Sequence, residues 1–224
     1  MRDHLGQNLI GSDLGFARGI LLLDDCDGGF LWEITGAAGD AVHDVNGVAA
    51  FRGSGGLRLI TRTAGAAIGD GMTISRRVSF SESGLLVYRL RICFPDVSRM
   101  GTVPLEVYVE IGGHEYLAAL LWRPKTPDVR YMNDLGGFTA IPALAFGVSD
   151  GAWTMWEMVL DVAAFRYLSV SLGGVHVDMG GVGLLDAGAT APRQIGVWLG
   201  FETAVNAPAT VYVDDVYVGE FVDV

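Results

Sequence analysis

The chain has 224 residues, of which 50% are hydrophobic and 18% are charged, and it contains 32 glycines. This composition provides enough apolar material for a core and excludes a disordered chain, because disorder requires low hydrophobicity and high charge. The formal net charge is −11, which excludes the basic footprint that nucleic-acid binding requires. Apolar runs are far shorter than a membrane span, so we expect neither nucleic acid nor a membrane as a partner.

Residues 1–19 are predicted to form an irregular N-terminal arm, because their glycines interrupt every hydrophobic pattern. Two alternatives are open for this arm: a disordered terminus, or a segment that becomes ordered on a neighbouring subunit. The arm also lacks the apolar segment of a secretory signal peptide. We therefore expect a protein that is made in the cytoplasm. If it reaches the outside, it does so by lysis, by a non-standard route, or as part of a virion or another extracellular particle.

From residue 20 onward, short segments alternate between apolar and polar residues. The clearest example is Leu86 to Phe94, in which the even positions are apolar and Val87, Arg89 and Arg91 lie opposite. A period of two predicts strands with one buried face, which is typical of antiparallel sheets. The same alternation recurs at 72–80, 105–111, 116–122, 156–162, 168–179, 195–199 and 211–218. Since no helical period is sustained, residues 20–224 are predicted to form one all-β, two-sheet antiparallel sandwich domain.

Three connections have a sequence pattern of their own. Gly112 and Gly113 separate two alternating runs and predict a β-hairpin. Residues 163–165 are predicted to be a tight connection rather than a helix. The longest irregular stretch, 123–151, is predicted to be a functional or partner-facing loop with room for short strands around Tyr131 and Phe138.

The two cysteines, Cys26 and Cys93, both occur in strand-like segments. Their number and spacing do not match a disulfide-rich scaffold or a zinc site. Buried free thiols are the simpler interpretation, and a single disulfide is the alternative.

The last predicted strand changes its buried face in the middle. Val211 and Val213 share one parity, whereas Val216 and Val218 share the other. One extra residue at Asp214-Asp215, a β-bulge, would return all four valines to the core. The same bulge would place one or both carboxylates at the margin of the sheet.

Three stretches of the chain carry a family resemblance. The first, 22–32, reads LLDDCDGGFLW; the second, 153–175, begins WTMWEMVLD and ends in the turn LGGV; the third, 211–218, reads VYVDDVYV. In this order they resemble the opening strand, the tryptophan-led hairpin and the closing Asp-Asp strand of concanavalin A-like and laminin G-like sandwiches, and more loosely jelly-roll carbohydrate-binding modules. The resemblance implies a jelly roll whose termini lie side by side, a fold that serves binding far more often than catalysis.

The resemblance to carbohydrate-binding modules also implies a structural calcium ion. Carboxylates in loops are suitable ligands for this cation, and five carboxylates brought together without a cation would repel one another. The alternative is that these acids cap strands and accept hydrogen bonds from main-chain amides. The five candidate ligands are Asp24, Asp25, Asp27, Asp214 and Asp215.

Aromatic and planar polar side chains on the non-core parity of several strands suggest a glycan-binding face. Such a face forms if the strands are neighbours, and the alternative is ordinary cross-strand pairing of Arg with Glu or with aromatic rings. The candidate residues are Arg89, Arg91, Glu106, Tyr108, Glu110, Gln194 and Trp198.

No catalytic pattern emerges from the sequence, and we expect no enzyme activity. The catalytic strand of glycosidases with this general fold carries an E-x-D-x-x-E pattern, which is absent, because Glu106 and Glu110 have no Asp between them. The four histidines show neither metal spacing nor a nucleophile partner.

These observations predict a non-catalytic structural or surface-binding module that serves as a component of a virion or similar particle, such as a phage decoration, tail or fibre-associated protein. Its partners would be other protein subunits, in a homo-oligomer or a particle. The alternative is a free-standing carbohydrate-binding module whose partner is a glycan. No cofactor is required in either case, and calcium would be structural.

Overall fold

A computed structural model describes residues 17–35, 40–79, 84–189 and 194–221. Within these ranges the chain is all-β, and its strands form two antiparallel sheets that are not closed into a barrel. This architecture confirms the predicted jelly-roll sandwich of the concanavalin A-like type. No helix in the described part of the chain is long and apolar enough to cross a membrane.

The strands are numbered in chain order. They are β1 (Ala17–Asp24), β2 (Glu33–Thr35), β3 (Val42–Asn46), β4 (Gly56–Ile60), β5 (Gly71–Val78), β6 (Leu85–Cys93), β7 (Val103–Ile111), β8 (His114–Arg123), β9 (Asp128–Met132), β10 (Phe138–Ala140), β11 (Trp153–Asp161), β12 (Arg166–Leu172), β13 (Val175–Gly183), β14 (Leu185–Ala189), β15 (Gln194–Glu202) and β16 (Thr210–Phe221). Short 3-10 turns occur at Gly47–Ala49, Val97–Arg99 and Pro142–Leu144.

The first sheet has the order β13-β12-β11-β6-β16-β4-β3, and β1 pairs with β16. The second sheet has the order β10-β9-β8-β7-β15-β5-β2, and β14 pairs with β8. Strands distant in sequence are therefore neighbours in both sheets, as when β16 at the end of the chain lies between β6 and β4.

The core lies between the two sheets and is built from the apolar parity of each strand. Leu90 and Trp156 of the first sheet and Val107 and Val197 of the second are at most 1% exposed. Trp156 meets Trp122 across the core edge to face, with ring centroids 5.5 Å apart. Because alternate residues are buried in both sheets, the intervening residues form two outer faces.

The predicted connections agree with the structure. Gly112 and Gly113 have positive φ angles of 63° and 83° and join β7 to β8. Phe165 also has a positive φ, 50°, in the tight turn between β11 and β12. The irregular stretch contains β9 and β10, the two short strands expected around Tyr131 and Phe138.

The predicted arm and the end of one predicted strand coincide largely with residues that are not described. Residues 1–16 lie outside the described residues, and β1 begins at Ala17, three residues before the predicted boundary. Phe80, the last residue of the predicted alternation at 72–80, also lies outside the described residues.

The predicted bulge in β16 is confirmed. The pairing with β6 shifts between Asp214 and Tyr217, so that β16 carries one residue more than its partner. Asp215 has a φ of +50° there, and the four valines on either side of the bulge are at most 1% exposed. The extra residue thus reverses the parity of the strand and keeps both valine pairs in the core.

The expectation that these carboxylates lie at the sheet margin is wrong. Asp214 and Asp215 are 0% and 4% exposed and lie in a central strand. The reason is that β16 changes its partner at the bulge: residues 210–213 pair with β4, whereas residues 216–221 pair with β1. Asp214 and Asp215 therefore lie where neither β4 nor β1 pairs with β16, inside the sheet and not at an open edge.

Both cysteines are free and buried, which agrees with the simpler of the two interpretations. Cys26 is 0% exposed and Cys93 is 3% exposed. Burial raises the pKa of the Cys93 thiol to about 11, so the thiol is protonated and unreactive at neutral pH.

One buried hydroxyl in the core predicts a stabilising substitution. Tyr88 is 3% exposed, and among the described residues its hydroxyl has no hydrogen-bond partner. The space beside it, lined by Leu105 and Leu120, is too small for a water molecule. Because an unsatisfied buried hydroxyl costs about 1–3 kcal/mol, we expect Tyr88→Phe to raise the free energy of unfolding by about 1 kcal/mol in urea denaturation.

The control for this prediction is Tyr167→Phe. The Tyr167 hydroxyl accepts a hydrogen bond from the Ala119 amide at 2.8 Å and donates one to the Ala119 carbonyl at 3.3 Å. On this side of β8, β14 pairs with residues 114–117 and β9 pairs with residues 120–123. The Tyr167 hydroxyl binds the main chain of Ala119 between these two pairings, so its loss is expected to destabilise the protein. A Tyr88→Phe variant that is as unstable as Tyr167→Phe would contradict the account.

Candidate functional site

A cleft opens on the outer face of the second sheet, around a position that has no side chain. Gly196 of β15 lies directly between Tyr108 of β7 and Arg77 of β5. The missing side chain leaves a hollow among larger neighbours, with a volume of about 220 Å³. We call it the Gly196 cleft, and it is lined by Arg77, Tyr108, Glu110, Glu115, Gly196 and Trp198.

The alternation of each strand directs these side chains outward. In β15, Ile195 and Val197 are 0% exposed in the core, so Gly196 and Trp198 belong to the outer face. The register of the β7–β8 hairpin places Glu115 of β8 opposite Glu110 of β7. Four adjacent strands, β5, β15, β7 and β8, therefore contribute to one small site.

Two aromatic rings form one wall of the Gly196 cleft. The centroids of Tyr108 and Trp198 lie 5.2 Å apart with the ring planes tilted by 50°. The Tyr108 hydroxyl donates a hydrogen bond to Glu106 at 3.0 Å, which fixes the position of the tyrosine ring. Desolvation raises the pKa of the Glu106 carboxyl, although this hydrogen bond opposes the shift.

The indole of Trp198 also overhangs the floor of the cleft. A Cβ atom added to Gly196 would lie 3.1 Å from the Trp198 Nε1 and 3.7 Å from the Tyr108 Cβ. The floor of the cleft is therefore main chain, with the edge of the indole lying close above it.

The remaining lining residues are charged. Glu110 is only 7% exposed, and Glu115 lies directly across from it on β8. Arg77 is exposed and lies on the other side of Gly196. The cleft thus combines an aromatic wall with two carboxylates, which accept hydrogen bonds from hydroxyls and ammonium groups, and one guanidinium, which donates to hydroxyl oxygens.

Five of the seven predicted glycan-binding residues share this face. Tyr108, Glu110 and Trp198 line the Gly196 cleft, Gln194 pairs with Glu110, and Glu106 pairs with Trp198.

The prediction of one common face is wrong for Arg89 and Arg91. Both belong to β6 in the first sheet, where Arg89 bonds to Glu157 and Arg91 lies 3.0 Å from Asp215. These pairs are the ordinary cross-strand pairing that was the alternative. Parity shows which residues point outward, but it does not show in which of the two sheets a strand lies.

Arg77, Glu115 and the role of Gly196 were not predicted. The parity of β5, with Met72 and Ile74 buried, already places Arg77 on the outer face. The two-glycine turn of the hairpin sets Glu115 opposite Glu110, so its position was accessible from the sequence. The neighbours of β15 were not accessible, because β5, β7 and β15 are far apart in the chain.

Two of the candidate calcium ligands organise the loops that follow β1. Asp24 accepts hydrogen bonds from the Cys26 amide at 2.8 Å and from the Trp32 indole N–H at 2.9 Å. Asp27 accepts from the Ser54 amide at 2.7 Å, and such main-chain bonds lower the pKa of the Asp27 carboxyl. Asp25, the third member, accepts a long bond of 3.3 Å from the Asp27 amide and no other hydrogen bond from a described residue.

The other two candidates hold the loop that covers the bulge. Asp214 Oδ2 accepts from the amides of Phe51 and Arg52 at 2.7 and 3.1 Å, and Asp214 Oδ1 accepts from the Asp215 amide at 2.7 Å. Asp215 pairs with Arg91, whose guanidinium also lies 4.1 Å from the centroid of the Phe51 ring. Asp24, Asp27 and Asp214 therefore accept short hydrogen bonds from main-chain amides, as the capping alternative requires, whereas Asp215 pairs with a guanidinium.

The arrangement does not fit a calcium site as it stands. In the ranges given above, no group of three or more His, Cys, Asp or Glu side chains is placed to hold a metal ion. Calcium at these residues stays a prediction, and its test is thermal. If a structural ion is present, chelation with EDTA lowers the melting temperature and added calcium restores it; an unchanged melting temperature would contradict the calcium hypothesis.

The fold defines the class of the molecule, a concanavalin A-like jelly-roll sandwich, and its described residues form a small aromatic and charged cleft on one outer face. No family model and no curated protein matches the chain. Solved structures do. A carbohydrate esterase from the Shiga toxin-encoding bacteriophage phi24B is 15% identical with a TM-score of 0.58, and the match covers 91% of this chain and 99% of that one.

Two further structures share the fold over most of their length. The cellulose-induced protein Cip1 is 16% identical with a TM-score of 0.52, covering 88% of this chain and 96% of that one. An alginate lyase variant, Aly36B in complex with an alginate trisaccharide, is 13% identical with a TM-score of 0.52, covering 75% and 83%. At these identities the likeness shows the fold alone.

Proposed function

We propose that this protein is a carbohydrate-binding β-sandwich that holds one sugar ring in the Gly196 cleft. The observation that carries the proposal is the meeting of Tyr108 and Trp198 beside a main-chain floor. The apolar face of a sugar packs on such rings, while carboxylates and a guanidinium bind its hydroxyls. The volume of about 220 Å³ is smaller than the site of a drug-sized ligand, so it suits a single ring of a longer glycan.

The comparisons support the proposal. The similar bacteriophage protein is titled a carbohydrate esterase, and the similar lyase was solved with an alginate trisaccharide. Sandwiches of this kind are thus found in proteins that handle saccharides. The ligand of the present chain is inferred from its own cleft, because these structures share little sequence with it.

The proposal includes binding without catalysis. Hydrolysis of a glycosidic bond requires two carboxyl groups on either side of that bond. Glu110 and Glu115 are instead paired neighbours on the adjacent strands β7 and β8, so both carboxyl groups lie on the same side of the cleft. The residue on the other side of Gly196 is Arg77, which is not a carboxylic acid. Incubation with each bound glycan should leave it intact by mass spectrometry, and released products would contradict this part of the proposal.

The test of the binding function is a glycan array probed with the wild type and with Trp198→Ala. We expect binding to some glycans by the wild type and a loss of about tenfold or more in affinity for Trp198→Ala, equivalent to about 1.4 kcal/mol. The matched control is Trp153→Ala, since Trp153 is a half-buried tryptophan on the first sheet. An array without hits, or equal binding by Trp198→Ala, would overturn the proposal.

We further propose that the module works as a subunit of a virion or a similar particle. Its support is the likeness to a bacteriophage protein over nearly the full length of both chains. Light scattering of the full chain should then show a homo-oligomer. A monomer at all concentrations would count against the assembly role and leave the glycan-binding module by itself.

A further inference from the structure

The most buried charge in the Gly196 cleft has no partner in the described part of the chain. Glu110 is 7% exposed and lines the cleft, and its carboxylate makes no hydrogen bond or ion pair with another described residue. Glu106 on the same strand differs, because it accepts the hydrogen bond of Tyr108. The Glu110 side chain is mostly buried and has little access to water, and no described donor satisfies its carboxylate, so a ligand that supplies a donor at Glu110 is favoured.

A second carboxylate strengthens this preference. Glu115 lies directly opposite Glu110 in the β7–β8 hairpin, and like charges at opposite positions repel each other. The lining thus has two negative charges and one positive charge, on a chain with a net charge of −11. A ligand carboxylate or sulfate in the cleft would add to this repulsion.

Arg77 does not cancel the effect. It is exposed, so that water and salt screen its charge, whereas the charge of the buried Glu110 is screened much less. The position of Arg77 on the far side of Gly196 leaves it free to bind a ring hydroxyl.

We propose that the Gly196 cleft selects uncharged sugars and amino sugars and excludes acidic sugars, with Glu110 as the residue that determines this specificity. The inference rests on the proposed glycan-binding function. A hydroxyl or an ammonium group of the sugar donates to Glu110, while Glu115 raises the negative potential around it. Uronic acids, sialic acids and sulfated sugars lack a favourable position at this end of the cleft.

The experiment is a glycan array that carries neutral, amino and acidic glycans, followed by calorimetry with the strongest neutral or amino ligand and its closest acidic counterpart. For the wild type we expect the acidic counterpart to bind at least about tenfold more weakly. In Glu110→Gln, which keeps the shape of the side chain, this ratio should fall by about tenfold or more. Glu33→Gln, an exposed residue of β2 in the same sheet, is the control and should leave the ratio unchanged.

Each outcome separates the two proposals. If acidic glycans are the strongest ligands of the wild type, or if Glu110→Gln keeps the wild-type ratio, the inference fails, while a loss of binding in Trp198→Ala still supports glycan binding. If no glycan binds, both fail. Should Glu110→Gln not fold, Glu115→Gln tests the same claim at a half-buried position, and an unchanged ratio there overturns it.

Discussion

Replacing Asp214 with alanine is expected to lower the free energy of unfolding by about 3 kcal/mol, because three main-chain amides lose their acceptor. The carboxylate is 0% exposed and binds the amides of Phe51, Arg52 and Asp215. It joins the covering loop to the bulge of β16, where the partner of that strand changes. The measurement is equilibrium unfolding in urea at pH 7.

Asp214→Asn is the matched control for this prediction. The amide oxygen of asparagine can replace Asp214 Oδ2 and keep the bonds from Phe51 and Arg52. Only the short bond from the Asp215 amide is then lost, so we expect a loss of about 1 kcal/mol. An alanine variant that is no less stable than the asparagine variant would show that the loop does not depend on these bonds.

The same residue predicts a pH dependence. Burial raises the pKa of Asp214 to about 6 from its ordinary value of 3.8, and the amide bonds only partly oppose this shift. The folded protein therefore holds this proton more tightly than the unfolded chain does. Protonation of Asp214 therefore stabilises the folded state, and this stabilisation is fully present below about pH 4 and is lost as the pH rises through 6. Urea unfolding between pH 4 and 7 should show this fall in the wild type and a smaller one in Asp214→Asn.

Gly196→Val is expected to reduce glycan binding by about 100-fold or more, equivalent to about 2.7 kcal/mol. A Cβ atom at this position already lies 3.1 Å from Trp198 Nε1, and the valine methyl groups would occupy the floor of the cleft. The backbone of Gly196 has no positive φ, and valine is favourable in a strand. We therefore expect binding to be lost while the fold is kept.

The control is Gly28→Val. A Cβ atom at Gly28 meets nothing within 4 Å, so this substitution adds the same side chain without filling a cleft. Calorimetry should show wild-type affinity for Gly28→Val, and thermal melting should show folded protein for both variants. Wild-type binding by Gly196→Val would mean that the ligand lies elsewhere.

Much of the fold could be predicted from the sequence because the alternation of apolar and polar residues in each strand is a local pattern. Period-two alternation located the main strands, and the change of parity from Val213 to Val216 located the bulge. Neither inference requires knowledge of strand neighbours. The position of the bulge in the sheet does require it, which is why the carboxylates were wrongly placed at a margin.

The candidate site was only partly accessible for the same physical reason. Parity placed Tyr108, Glu110 and Trp198 on outer faces, but equally so Arg89 and Arg91, which lie on the other sheet. The hollow over Gly196 exists because β7 and β5 lie on either side of β15. This strand order depends on pairing between segments that are far apart in the chain, so it cannot be predicted from a local sequence pattern.

The most direct test of the central claim is an NMR titration of the ¹⁵N-labelled protein with the strongest ligand from the glycan array. The account predicts that the shifted amides cluster in β5, β7 and β15 around Arg77, Tyr108 and Gly196, and that the side-chain N–H of Trp198 shifts with them. Shifts confined to the outer face of the first sheet, around Arg89 and Arg91, would contradict the account.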